Sequence, residues 1–291
     1  MRGTATGGAK RSRSAPYLLG LPALAYLGIF FVIPLVTLLK MSLSTNVGSV
    51  YEPTMVLDWH WANYSDAFSS YGAQFSRSFL YAGIATVLAL LLGYPLAYVI
   101  AFRAGRYKNL LLGLVILPFF VTFLVRTLAW KTILSDTGWV VSLFDLLHVP
   151  MPDGRLLSTS WAVVFGLTYN FLPFMVLPIY VSLEKIELSL VDAAKDLYSA
   201  PWRAFRAVVL PLSLPGVFAG TLLTFIPAAG DFINAQYLGS AQNAMIGTVI
   251  QKQFIVVKDY PAAAALSFVL MAMILVGVLV YARVLGTEEL T

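Results

Sequence analysis

The chain has 291 residues, 59% of them hydrophobic and 11% charged, with a mean hydropathy of +0.81. A soluble domain is about 45–50% apolar and about 25% charged, and a monomer in water has no way to bury such an excess. This excludes an ordinary soluble enzyme, a nucleic-acid binder and a disordered chain, and it makes lipid the solvent. The net charge of +5 fits basic loops that orient a membrane protein better than it fits an acidic soluble partner. The chain has no Cys, which removes disulfides, thiol catalysis and Cys-ligated metals. Its two histidines, His60 and His148, make a poor metal set.

Residues 1–15 are rich in Gly, Ala, Ser and Thr and carry Arg2, Lys10, Arg11 and Arg13, which reads as a disordered basic cytoplasmic tail. The apolar run that follows, Ala15 to Leu39, exceeds the roughly 7–15 residues of a signal-peptide core, and no Ala-x-Ala site closes it. It is therefore expected to be a retained first span. A span takes about 20 apolar residues to cross about 30 Å of hydrocarbon. Five segments qualify and are free of Asp, Glu, Lys and Arg: Ser14–Leu39, Ser78–Phe102, Leu156–Leu183, Ala207–Gly230 and Pro261–Ala282. A sixth, Leu110–Leu134, holds Arg126 and Lys131 toward its end. The chain lacks the many short alternating segments of a β-barrel. The expected fold is all-α and transmembrane, with six helices over 16–285 and a short cytoplasmic tail at 286–291.

Six spans put both termini on one side. That side holds Arg2, Lys10, Arg11, Arg13, Arg103, Arg106, Lys108, Lys185, Lys195, Arg203, Arg206 and Arg283. The other side and the adjoining span ends hold Lys40, Arg77, Arg126, Lys131, Arg155, Lys252 and Lys258. The excess of basic residues predicts that the termini and the loops around 103–109 and 184–206 are cytoplasmic. The external loops then carry Glu52, Asp58, Asp66, Asp136, Asp145 and Asp153, with Tyr51, Trp59, Trp61, Tyr64 and Trp139 suited to an interface belt. Prolines 22, 34, 95, 118, 173, 178, 211, 215 and 227 fall inside spans. Each removes a helix hydrogen bond, and lipid tolerates this where neighbouring helices or a water-filled path satisfy the freed carbonyl. So many suggest a bundle built around a cavity.

Arg126 lies in a span where a bare cation is costly, so it is expected to face a partner helix, a backbone carbonyl or a headgroup. Asn170 and Thr168 are candidates for hydrogen bonds across helices, at the seam between subunits. The loop 184–206 divides into two helical pieces. In the first, Ile186, Leu190, Ala193, Ala194 and Leu197 recur at helical spacing, with Lys185, Ser189, Asp192 and Asp196 on the opposite stripe. Pro201 suits the first turn of the second piece, which runs through Trp202 and Phe205 toward Pro211. Periodicity alone leaves two readings of this pair equal: a helix lying on the membrane surface, or a docking element.

The stretch Asp192-Ala193-Ala194-Lys195-Asp196-Leu197, followed by Val209-Leu210-Pro211 and Pro215-Gly216, resembles the EAA loop of ABC importer permeases. In that family the loop forms a coupling helix seated in a cleft of the cytoplasmic ATPase. The resemblance thus implies that Asp192, Ala193, Ala194, Asp196, Leu197 and Tyr198 couple to an ATPase, and that the fold is that of a type I importer permease. Two positions depart from the pattern. Asp192 stands where the family has Glu, and Tyr198 where it has Gly. A Tyr resists the positive φ that Gly permits between two helices, so either Ser199-Ala200-Pro201 makes the turn differently or the coupling geometry is altered.

The stretches 118–130 (PFFVTFLVRTLAW), 169–180 (YNFLPFMVLPIY) and 226–232 (IPAAGDF), with Leu238-Gly239-Ser240 and Ile246-Gly247 beyond, resemble the spermidine/putrescine permeases, most of all the first of the two permease subunits. The resemblance spans roughly residues 75–285. It implies a second homologous permease subunit, an ATPase dimer, an external substrate-binding protein and a bacterial inner-membrane location, with no nucleic acid involved. ATP and Mg²⁺ would be held by the ATPase and no cofactor by this chain, which has no Gly-x-x-x-x-Gly-Lys-Ser/Thr sequence to cradle phosphate. A polycation path favours carboxylates and aromatic faces. The candidates are Asp231, Tyr169, Phe174, Tyr180 and Tyr237, against the plainer readings of a helix-end carboxylate and of packing. The alternatives are an ABC permease for another small solute and a stand-alone secondary carrier. The second is disfavoured by the lack of an internal repeat and the sparse interior charge.

Overall fold

The computed structural model describes residues 15–48, 54–147, 154–187, 189–190, 192–193, 196 and 200–285. The basic tail, but for Ala15, and the tail at 286–291 lie outside the described residues, as does His148. Helices α1 (Ala15–Leu27) and α2 (Ile33–Ser42) are joined by a π-helical turn at Gly28–Val32. A two-stranded antiparallel ribbon follows, β1 (Ser44–Asn46) on β2 (Met55–Leu57), with Thr45 opposite Val56. Then come α3 (Ala62–Phe102), α4 (Lys108–Ile116), α5 (Phe123–Ile133), α6 (Trp139–Leu146) and α7 (Ser160–Glu184). After the loop lie α8 (Pro201–Ala204), α9 (Leu210–Ala229), α10 (Ile233–Leu238), α11 (Ile246–Lys252) and α12 (Tyr260–Leu285).

Five helical stretches are long and apolar enough to cross a membrane: Leu21–Ser42, Ala62–Phe102, Ser160–Glu184, Trp202–Ala229 and Tyr260–Val284. A sixth is a bent pair, Gly105–Phe120 with Phe123–Ile133, whose two halves meet at 96°. With that pair counted as one span, the six expected spans are present, with two differences. Helix α3 begins sixteen residues before the expected Ser78: Ala62–Arg77 adds helix in polar sequence, kinked at Tyr71, whose φ of −124° and ψ of 15° are not helical. The third span is broken rather than straight: Val121 and Thr122, just past Pro118, are extended.

The core is built by α3, α7 and α9. On α3 the buried small residues Ala82, Ala85, Ala89, Gly93 and Ala97 form one stripe at three- and four-residue spacing. Small side chains let helix backbones approach where lipid gives no hydrophobic push between them. A Cβ on Gly93 would come within 3.2 Å of Met175 and Val176 on α7. Helix α9 presents Gly216 and Gly220 to α7, against Pro178–Ser182 and Met175. This Gly-x-x-x-Gly spacing is visible in the sequence as a close-packing signal.

The prolines are absorbed locally. The π-helical turns Gly28–Val32 and Phe205–Val209 each end two residues before a proline, Pro34 and Pro211. The widened turn accommodates the ring that would otherwise strike the carbonyl four residues back. Pro173 and Pro178 lie inside the single helix α7.

Candidate functional site

Two regions carry polar chemistry. The first lies where the broken third span meets α7 and α10. Asn170, fully buried on α7, donates through Nδ2 to Asn234 Oδ1 at 3.0 Å and to Thr127 Oγ1 at 3.3 Å. Thr127 Oγ1 also donates to Asn234 Oδ1 at 3.3 Å. Three elements, α5, α7 and α10, are thereby knotted in an otherwise apolar interior. Leu238 and Asn234 lie so close to Gly166 on α7 that a Cβ there would come within 2.4 Å and 2.7 Å of them. Asp231, 7% exposed, stands between α9 and α10 and accepts the Asn234 backbone N–H at 2.7 Å through Oδ1. This caps the first turn of α10. Burial pushes the Asp231 carboxyl up to about 6, against the opposing pull of its hydrogen bonds from Asn234 and Ala235.

Asn170 therefore makes its cross-helix bonds inside this chain rather than at a seam between subunits. Thr168 turns back to the Val164 carbonyl of its own helix. Sequence reading missed Thr127 and Asn234, because nothing in their local pattern separates them from ordinary polar residues near a helix end. Arg126, next to Thr127, is 8% exposed, and its guanidinium carbon lies 5.5 Å from the centre of the Phe123 ring. Its Nε and Nη1 find no acceptor among the described residues.

The five proposed path residues are not gathered in one cavity. Tyr169 stands edge-on to Trp130, with ring centres 5.4 Å apart, at the wall of an apolar cavity of about 390 Å³ between α3, α5, α6 and α7. Phe174 packs between Phe119 and Phe171. The Tyr237 ring lies 6.0 Å from Lys131 Nζ. Asp231 and Tyr180 are both buried.

The second region is the opposite end of the bundle. Lys108 Nζ, at the start of α4, sits 2.6 Å from Glu184 Oε1, the last residue of α7, and 5.4 Å from the Tyr180 ring centre. The loop after Glu184 follows directly. Within it Ser189, Leu190, Asp192, Ala193 and Asp196 are helical, and Asp192, Ala193 and Asp196 are exposed. Ala194, Leu197 and Tyr198 lie outside the described residues. Trp202 and Phe205 stack at 5.3 Å, and Phe205 meets Tyr94 and Tyr98 of α3 edge-on. The second helical piece is thereby anchored to the bundle core.

A bundle of apolar spans with one broken helix and an exposed helical loop at one end is the fold of an ABC importer's membrane subunit. Two solved structures share it: a bacterial ABC transporter involved in the import of the acidic polysaccharide alginate (TM-score 0.66, 17% identity, 94% of this chain and 96% of that one), and a bacterial alginate ABC transporter in complex with alginate pentasaccharide-bound periplasmic protein (TM-score 0.67, 18% identity, 92% and 93%). The chain belongs to the family of binding-protein-dependent transport system inner membrane components, which residues 89–285 match. It is 36% identical over 258 residues to the spermidine/putrescine transport system permease protein PotB of Haemophilus influenzae, across 88% of this chain and 89% of that one. It is 40% identical over 200 residues to PotB of Escherichia coli, across 69% and 73%.

Proposed function

We propose that the chain is one of two permease subunits of an ATP-driven importer and that its cargo is a polyamine, spermidine or putrescine. The observation that carries the cargo is the 36% identity extending over 88% of the chain to a permease named for it. The mechanism follows from where the charges lie. The cargo arrives from an external binding protein. ATP and Mg²⁺ are held by a pair of ATPase subunits, and this chain binds neither. The loop 184–206 and both termini face the cytoplasm, as the distribution of Lys and Arg favours. The exposed helical residues Asp192, Ala193 and Asp196 enter the ATPase cleft, and motion there passes through Glu184 into α7 and through Trp202 and Phe205 into α9.

The path for a flexible polycation runs past aromatic faces and carboxylates. Tyr169, Phe174 and Tyr237 contribute faces; Asp231 and Tyr180 reach the path only in a state other than this one. The test is reconstitution with the ATPase, the second permease and the binding protein. Spermidine plus binding protein should stimulate ATP hydrolysis and drive uptake into proteoliposomes. Asp192→Arg should abolish ATPase association. Full association and uptake with that variant would reject the docking role, and stimulation only by a different solute would reject the polyamine cargo.

A further inference from the structure

Arg126 and Asp231 carry opposite charges, are largely enclosed, and have no counter-charge among the described residues. Arg126 is 8% exposed, with no acceptor for Nε and Nη1 among those residues, and Asp231 is 7% exposed. The ion pairs among the described residues, His60–Asp58, Lys108–Glu184 and Arg155–Asp136, include neither. Each group has lost most of its hydration with no opposite charge among the described residues in return, which is costly in a chain that crosses lipid. The two orphaned nitrogens have almost no exposed surface in this chain, and a shift of the elements that carry the two charges would bring each an opposite charge.

The two charges sit on elements that already touch. Helix α5 packs on α10. Thr127, the neighbour of Arg126, donates to Asn234, whose backbone N–H holds Asp231. Both charges also stand beside joints. Arg126 lies in the first turn beyond the 96° break at Val121–Thr122. Asp231 lies in the break between Ala229 and Ile233. Helix α5 has eleven residues and α10 six, each with a break in the chain at one end, so a shift of either against the long spans has a joint to turn on.

We propose that Arg126 and Asp231 are two halves of an ion pair that forms in a different state of the transport cycle, when α5 slides over α10. Its making and breaking gates the end of the path bounded by α5 and α10. In the state seen here the Asn170–Asn234–Thr127 knot holds the two helices in the register that keeps the charges apart. In the other state the pair replaces that knot. A permease with a cationic cargo gains a second benefit, because Arg126 presents no net positive charge to the path once it is paired.

This inference rests on the permease reading, and the experiment separates the two. The chain has no Cys, so Arg126→Cys with Asp231→Cys supplies the only thiols in this subunit. An Arg and an Asp in ionic contact keep their Cβ atoms further apart than a disulfide allows, so a short bifunctional thiol reagent is used to bridge the two cysteines. In the assembled transporter, treatment with it, with and without ATP and vanadate, should link them in one nucleotide state, at least about fivefold more than in the other. The companion test is charge exchange. Arg126→Asp and Asp231→Arg should each lower uptake by about tenfold or more, and the double exchange should recover uptake to within about threefold of the parent. Linking that is low in every state, or an exchange no better than the single variants, overturns the pair while leaving the parent's ATP-driven uptake intact. Loss of ATP-driven uptake in the parent assembly itself overturns the permease reading, and the pair with it.

Discussion

Lys108 and Glu184 form a 2.6 Å ion pair that ties the start of the third span to the root of the loop 184–206. Both groups are partly exposed, so the pair adds little to stability; its role is to make two neighbouring span ends move together. Lys108→Ala should leave the unfolding midpoint in detergent within about 2 °C of the parent. Uptake per ATP hydrolysed in proteoliposomes should fall by about fivefold, and the exchange Lys108→Glu with Glu184→Lys should restore it. Raising the salt concentration should reproduce part of the loss in the parent through screening. An unchanged ratio of uptake to hydrolysis in Lys108→Ala would show that the pair is ornamental.

The Asn170–Asn234 bond makes a different prediction, because both partners are fully buried. Hydrogen bonds between helices in membranes contribute about 0.6 kcal/mol on average and up to about 1.7 kcal/mol. Asn170→Leu removes two bonds and leaves Asn234 Oδ1 with Thr127 alone, so a loss of about 1–3 kcal/mol is expected. Gly166→Ala attacks the same knot from the packing side and should cost a similar amount. Thermal unfolding of the purified subunit measures both. The double variant should fall short of the sum, since both changes disturb Asn234.

The spans were legible because hydrophobic length is a long-range signal that needs no tertiary context. Ser160–Glu184 and Tyr260–Val284 fall within a few residues of their expected limits. The break in the third span was not legible: Pro118 marks a weak point, but whether a helix bends there depends on what packs around it. The short apolar helix Ile246–Val257 is below the length of a span, so hydrophobic length does not mark it. Asp231 stood out as a lone carboxylate at a span end, whereas Asn234 and Thr127 gain meaning only from each other. The Lys108–Glu184 pair joins residues 76 positions apart, a distance that no local pattern encodes.

Gly216 and Gly220 predict a graded packing defect. A Cβ at 216 would meet the Pro178 carbonyl oxygen at 2.6 Å and Ile179 Cα at 2.9 Å, which are backbone atoms and cannot step aside. At 220 the contacts are looser, 3.0 Å to the Met175 carbonyl oxygen and to its sulfur, and the thioether can turn away. Gly216→Ala should therefore destabilise by about 1–3 kcal/mol and Gly220→Ala by less. Gly113→Ala, where nothing lies within 4 Å, should be neutral or slightly stabilising through helix propensity. Unfolding midpoints that rank the three in another order would mean that α7 and α9 do not pack as described.

Asp231 sets a pH dependence whose sign is fixed by the direction of its shift. Folding raises the carboxyl from its ordinary 3.8 to about 6, chiefly by burial. The folded state thus holds this proton more tightly than the unfolded state does. The resulting stabilisation is complete below about 3.8 and disappears as pH rises through about 6, where the ionised carboxylate must stay buried. The isolated subunit should therefore unfold at a lower temperature at neutral pH than in mild acid. Asp231→Asn keeps an acceptor oxygen for the Asn234 N–H but has no charge to bury. It should unfold at a higher temperature than the parent at neutral pH, with the gap closing as the pH is lowered through the window. Comparing variant and parent at each pH isolates this carboxyl from every other titrating group. Parallel curves for the two proteins would mean that Asp231 reaches water or finds a cation in the isolated subunit.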